Sequence, residues 1–88
     1  SLPLLLFDKF KSIDKIKNVH MPVLIIHGTV DGIVPFSHGV TLFKAANEPK
    51  YFFPIVGAGH NDLIAVAKER YWQRLKAFTQ TLLTHQGK

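Results

Sequence analysis

The sequence predicts an α/β architecture of two parallel strands with flanking helices, in the order helix, strand, helix, strand, helix. Three observations carry this. Val23-Leu24-Ile25-Ile26 is a continuous apolar run with three β-branched members. It lacks alternation, which predicts burial on both faces, as in a parallel strand between helical layers. Tyr51-Phe52-Phe53-Pro54-Ile55-Val56 is a second apolar run of strand length. Between and after these runs, apolar residues recur at spacings of three and four, the period of a helix with one buried face. A strand, a helix and a second strand in that order make a parallel unit.

Residues 1–22 form a leading segment. Leu2–Phe7 is apolar but far too short to span a membrane, and it lacks the basic flank and cleavage site of a signal peptide. It reads as core, or as surface that meets further protein. Ser12 is expected to cap a short helix reaching about Asn18, with Ile13, Ile16 and Val19 on one side. Met21-Pro22 stops it, because proline bars the preceding residue from helical geometry. Residues 23–35 are the first strand and a loop, His27-Gly28-Thr29-Val30-Asp31-Gly32-Ile33-Val34-Pro35.

Residues 36–49 hold the middle helix, with Ser37 as the expected N-cap of a helix over about 38–47. Val40, Phe43 and Ala46 or Asn47 lie along one stripe, widened by Leu42. Asn47-Glu48-Pro49 ends it. Residues 50–60 are the second strand and the loop Gly57-Ala58-Gly59-His60. Pro54 cannot donate to a ladder, so this strand is expected to be short or at an edge. Residues 61–84 are a last helix with room for a break, capped by Asn61 or Asp62. Leu63, Ala67, Tyr71, Leu75, Phe78 and Leu82 mark its buried face. Two strands rarely make a stable sheet alone, so either upstream sequence completes it or copies pair with one another.

At 88 residues and 47% hydrophobic, the chain has the size and composition of one small globular domain with a marginal core. Its first residue is serine, which points to a processed, engineered or partial product. No cysteine is present, which excludes disulfides, zinc–thiolate sites and a cysteine nucleophile. The net charge is +5, from 11 Lys and Arg against 6 Asp and Glu. The basic residues are scattered, as on a solvated face. Nucleic acid and an anionic membrane surface are the sharper alternatives. No helix-turn-helix or aromatic-rich RNA motif is visible, so no nucleic-acid partner is expected, and contact with an anionic lipid surface stands as the alternative. No pair has His-x-x-x-His or similar ligand spacing, so neither a metal nor a cofactor is expected. With no signal or transmembrane pattern, the expected location is cytoplasmic.

In open α/β sheets, ligands bind at the carboxyl ends of the strands. Both informative loops lie there, and they follow adjacent parallel strands, so Asp31 and His60 can approach each other. Acyl-transfer chemistry asks for such a pair. A serine hydroxyl is a poor nucleophile until an imidazole takes its proton, and a buried carboxylate fixes the imidazole tautomer and stabilises the imidazolium. Plainer readings stand beside this one. Asp31 brackets a turn, since Asp-Gly is a common turn pair, and His60 starts a helix. Asp62 and Asn61 are caps, with orientation of His60 the lesser reading for Asp62. His27 packs at the strand end with Gly28 allowing close backbone approach, substrate contact being the alternative. His38 is structural or solvent-facing. Phe52, Phe53, Tyr71 and Trp72 are core or cap-facing.

The run "HGTVDGIVP" followed by "GAGHND" resembles the acid loop and histidine loop of the α/β-hydrolase superfamily. The longer segment "FSHGVTLFKAANEPKYFFPIVGAGHND" is similar to the branch with serine-aminopeptidase-like domains and abhydrolase depalmitoylases. The resemblance runs roughly from Leu4 to Leu83. It implies that residues 1–88 are the C-terminal portion of a single α/β-hydrolase domain, with 1–22 following the nucleophile and cap region. It implies Asp31 as the acid and His60 as the base. The family order Ser…Asp…His places the nucleophile, in a Gly-x-Ser-x-Gly elbow, upstream of residue 1. None of Ser1, Ser12 and Ser37 has that context. One oxyanion-hole donor, the amide after the nucleophile, would lie upstream too. The implied parent is a serine hydrolase cleaving acyl esters or thioesters, with amides as a further class, through an acyl-enzyme. Its partner is a small-molecule or acylated substrate, and substrate-binding residues are not identifiable. The rival expectation is a catalytically inactive interaction module that self-associates or completes a partner's sheet through an exposed strand edge.

Overall fold

The computed structural model describes residues 4–6 and 13–86. In chain order the elements are β1 (Leu4–Leu6), α1 (Ile13–Ile16), β2 (Val23–Gly28), α2 (Phe36–Ala45), β3 (Lys50–Ile55), α3 (Leu63–Ala67) and α4 (Glu69–Gln86). The three strands form one parallel sheet in the order β1-β2-β3, with Leu5 beside Leu24 and Leu24 beside Tyr51. Both predicted parallel strands are present with their flanking helices. A third strand, Leu4–Leu6, adds to the far side of β2 within the leading segment. Ser12, expected as a helix cap, lies outside the described residues.

Central placement explains why all six residues of β2 are buried. Because side chains alternate across a strand, Leu24 and Ile26 enter one apolar cluster and Val23 and Ile25 the other. The first cluster contains Ile55, Ala67, Tyr71, Phe78 and Leu82, with Tyr51 and Phe53 packed against it. The second contains Ile16, Leu42 and Ala46, with Phe52 packed against it. The sheet is thus sandwiched between α1 and α2 on one face and α3 and α4 on the other. Fully burying each Val, Leu or Ile contributes about 1.5–3 kcal/mol. Among the described residues β3 has one strand partner, and Pro54, opposite His27, is accommodated on that edge.

Two helix boundaries differ from the sequence expectation. Ser37 does not cap α2. The helix begins at Phe36, Pro35 occupies the N-cap position, and no side chain caps it. Pro35 itself is extended, with φ −56° and ψ 142°, and Ser37 falls inside the first turn. The buried stripe of α2 centres on Gly39, Leu42 and Ala46, with Val40 and Phe43 half-buried at its sides. On the other face, the predicted last helix is broken at Lys68, whose φ of 55° ends α3. Asp62 stands at the N-cap position of α3, but its side chain makes no cap bond.

Long-range bonds tie the layers together. The Asn47 side-chain amide donates to the carbonyls of Lys17 at 2.8 Å and Val19 at 2.9 Å, fastening the exit of α1 to the end of α2. Among the described residues, no helix is long and apolar enough to cross a membrane.

Candidate active site

The loops after β2 and β3 are laced to each other by backbone. Thr29 N–H donates to Ile55 O at 3.1 Å and Val30 N–H to Ala58 O at 3.0 Å. Gly57 N–H donates back to the Thr29 hydroxyl at 2.9 Å. This approach requires glycine at position 28, because a Cβ there would fall 2.2 Å from the Ala58 carbonyl oxygen. The lacing carries Asp31 and His60, 29 positions apart in sequence, to within 3.0 Å of each other.

Asp31 uses its two carboxylate oxygens differently. Oδ1 accepts the backbone N–H groups of Ile33 and Val34, both at 2.8 Å. Oδ2 faces His60 Nδ1 at 3.0 Å and His27 Nε2 at 3.5 Å. The turn reading of Asp31 and its pairing with His60 are therefore two halves of one carboxylate. The side chain is 4% exposed. Burial pushes its pKa up, but the N–H groups of Val34 and Ile33, with His60 beside it, outweigh this and hold it below the ordinary carboxylate value. An ionised carboxylate only accepts, so His60 Nδ1 carries the hydrogen, and in the neutral ring Nε2 carries the lone pair.

His60 is 23% exposed at its side chain. Its loop is braced by Asp62, whose Oδ1 accepts the Gly59 N–H, so Asp62 stabilises the histidine loop through its side chain while starting α3 with its backbone. Beside His60 lies a cleft of ≈ 310 Å³ lined by Asn61, Leu63, Ile64, Ala65 and Tyr71. Val30, Ile33 and Val56 on the two loops and Ile64 on α3 are exposed apolar side chains at the same end of the sheet.

His27 is buried at 2% exposure and bonded to the Val34 carbonyl. Gly28 makes the close approach expected of it. His38 lies half-buried in the first turn of α2. Tyr71 is buried, whereas Trp72 is half-exposed and meets Tyr71 edge-on at 5.0 Å. The sequence reading missed the bond from His27 to the loop, and the glycine at position 39 that makes room for its ring. Among the described residues, no group of three or more His, Cys, Asp or Glu side chains is arranged to hold a metal ion.

Comparison with solved structures defines the class. A bromoperoxidase from Bacillus anthracis superposes with a TM-score of 0.67 at 28% identity, over 77% of this chain and 24% of that one. An esterase domain from Rhodothermus marinus matches at 33% identity with a TM-score of 0.52, over 55% of this chain and 21% of that one. No protein-family model matches the chain. The chain forms part of an α/β-hydrolase fold. Relatives of similar sequence include the alpha/beta hydrolase domain-containing proteins 17B and 17C. The human 17B protein is 44% identical over 79 residues, 90% of this chain and 27% of the relative. The human 17C protein is 48% identical over 75 residues, 82% of this chain and 21% of the relative. The chain thus spans about a quarter of the length of the curated relatives it matches.

Proposed function

We propose that this chain supplies the acid and the base of a Ser-His-Asp triad in a hydrolase that cleaves acyl esters or thioesters. The carrying observation is the 3.0 Å contact between His60 Nδ1 and a 4% exposed carboxylate. Asp31 orients the ring, and His60 presents Nε2 as the base. A serine outside these 88 residues attacks the acyl carbonyl, and His60 takes its hydroxyl proton as the new C–O bond forms. When the tetrahedral intermediate collapses, the bond to the leaving oxygen or sulfur breaks and His60 returns the proton to it. Water then releases the acid by the same route in reverse, regenerating the serine. Throughout, the Asp31 carboxylate stabilises the imidazolium without taking its proton. One observation supports an acyl substrate: the esterase domain among the structural matches, 33% identical over 55% of this chain.

The test is His60→Ala in the full-length natural protein, assayed by hydrolysis of an acyl ester. A loss in kcat of roughly 10⁴–10⁶ with the fold retained is expected. A drop below about tenfold would sink the assignment.

A further inference from the structure

We propose that His27 is a positioning residue, whose ring clamps the Asp31 loop to the end of β2 and so fixes the carboxylate that faces His60. This rests on the reading of Asp31 and His60 as acid and base. His27 Nε2 lies 2.8 Å from the Val34 carbonyl oxygen. A carbonyl only accepts, so Nε2 carries the hydrogen and donates it. Val34 is also the residue whose N–H donates to Asp31 Oδ1 at 2.8 Å. One residue of the loop is therefore held by His27 through its carbonyl and holds Asp31 through its amide. The same Nε2 stands 3.5 Å from Asp31 Oδ2, the oxygen that faces His60.

The fold provides a fitted socket for this ring. A Cβ at Gly39 would fall 2.4 Å from His27 Nδ1, so α2 leaves a space that only glycine allows. Phe36 meets the ring edge-on, with centroids 5.6 Å apart and planes at 82°. Glycine inside a helix is unfavourable relative to alanine, and here the space it opens is filled by the imidazole. A ring needed only to fill that space could be phenylalanine. The bond to Val34 requires a donor. Misplacing a catalytic group by about 1 Å can cost on the order of 10²-fold in rate, so loss of the clamp acts on turnover.

The experiment uses the full-length natural protein and the hydrolysis of a p-nitrophenyl acyl ester. His27→Phe is expected to lower kcat roughly 10–100-fold while KM stays within about twofold. His27→Gln, whose amide can still donate to Val34, is expected to recover kcat to within about fivefold of wild type. Gly39→Ala, which favours the helix but displaces the ring, is expected to lower kcat as His27→Phe does. The clamp is overturned if His27→Phe keeps kcat within about threefold of wild type, or if His27→Gln falls as far as His27→Phe. Should His27→Phe fail to fold, a folded Gly39→Ala protein with full kcat overturns the clamp by itself. His60→Ala separates the two levels. An active His60→Ala enzyme defeats the triad reading, whereas an inactive one beside a fully active His27→Phe enzyme defeats the clamp alone.

Discussion

Asp31 concentrates the chemistry of the site in one side chain. Oδ1 is held by two backbone N–H groups and Oδ2 faces two imidazoles. An asparagine has the same shape, but its amide group cannot both accept from the loop and accept from His60 Nδ1–H. Asp31→Asn is expected to lower kcat on the order of 10⁴-fold with the fold intact, read by steady-state kinetics and circular dichroism. The same carboxylate makes stability depend on pH. Its folded pKa lies below the ordinary 3.8, so its contribution is fully present above the unfolded value and is lost as pH falls through the folded one. Urea unfolding of the full-length protein from neutral pH down to about pH 2 should show this acid-side loss in wild type and a shallower one in Asp31→Asn. The approach of Asp31 to His60 was legible in the sequence, because each follows an apolar run in a glycine-bearing loop and parallel strands put such loops at the same end. The contact of His27 with Val34 was not legible, because residue spacing carries no information on ring tilt.

At the scale of elements, the closest constraint is the approach of β2 to the loop after β3. A Cβ at position 28 would meet backbone, which cannot rotate away. Gly28→Ala is therefore expected to destabilise by about 1–3 kcal/mol through overpacking, measured as a lowered urea midpoint. Lys68 offers the opposite case. Its φ of 55° and ψ of −128° are sparsely populated by residues with a Cβ. Lys68→Gly is expected to stabilise by about 1 kcal/mol, seen as a raised midpoint, and an unchanged or lowered midpoint would contradict strain at the α3–α4 junction. The sequence announced β2 through its unbroken β-branched run, and the buried face of the last helix through Tyr71, Phe78 and Leu82. It did not announce β1, because three leucines have no period and become a strand only by pairing with β2. Ser37 misled because the helix begins one residue earlier, at Phe36, with no side-chain cap. The break at Lys68 had no glycine or proline to mark it.

Taken together, the described residues form a parallel sheet covered on both faces, and the proposed site lies at the end of that sheet that carries the two loops. The carboxyl ends of β2 and β3 bring forward Asp31 and His60, while the cores on either side are fixed by alternate residues of β2. The chain spans about a quarter of its curated relatives, and none of its three serines sits in a nucleophile elbow. The most direct test is labelling with a fluorophosphonate probe, the adduct being located by mass spectrometry. In the full-length natural protein the expected result is one adduct on a serine outside these 88 residues, abolished by His60→Ala. The 88-residue chain alone should take no label. Absence of an adduct on the folded full-length protein, or an adduct that persists in His60→Ala, would contradict the assignment of His60 and Asp31 as the base and acid of a serine hydrolase.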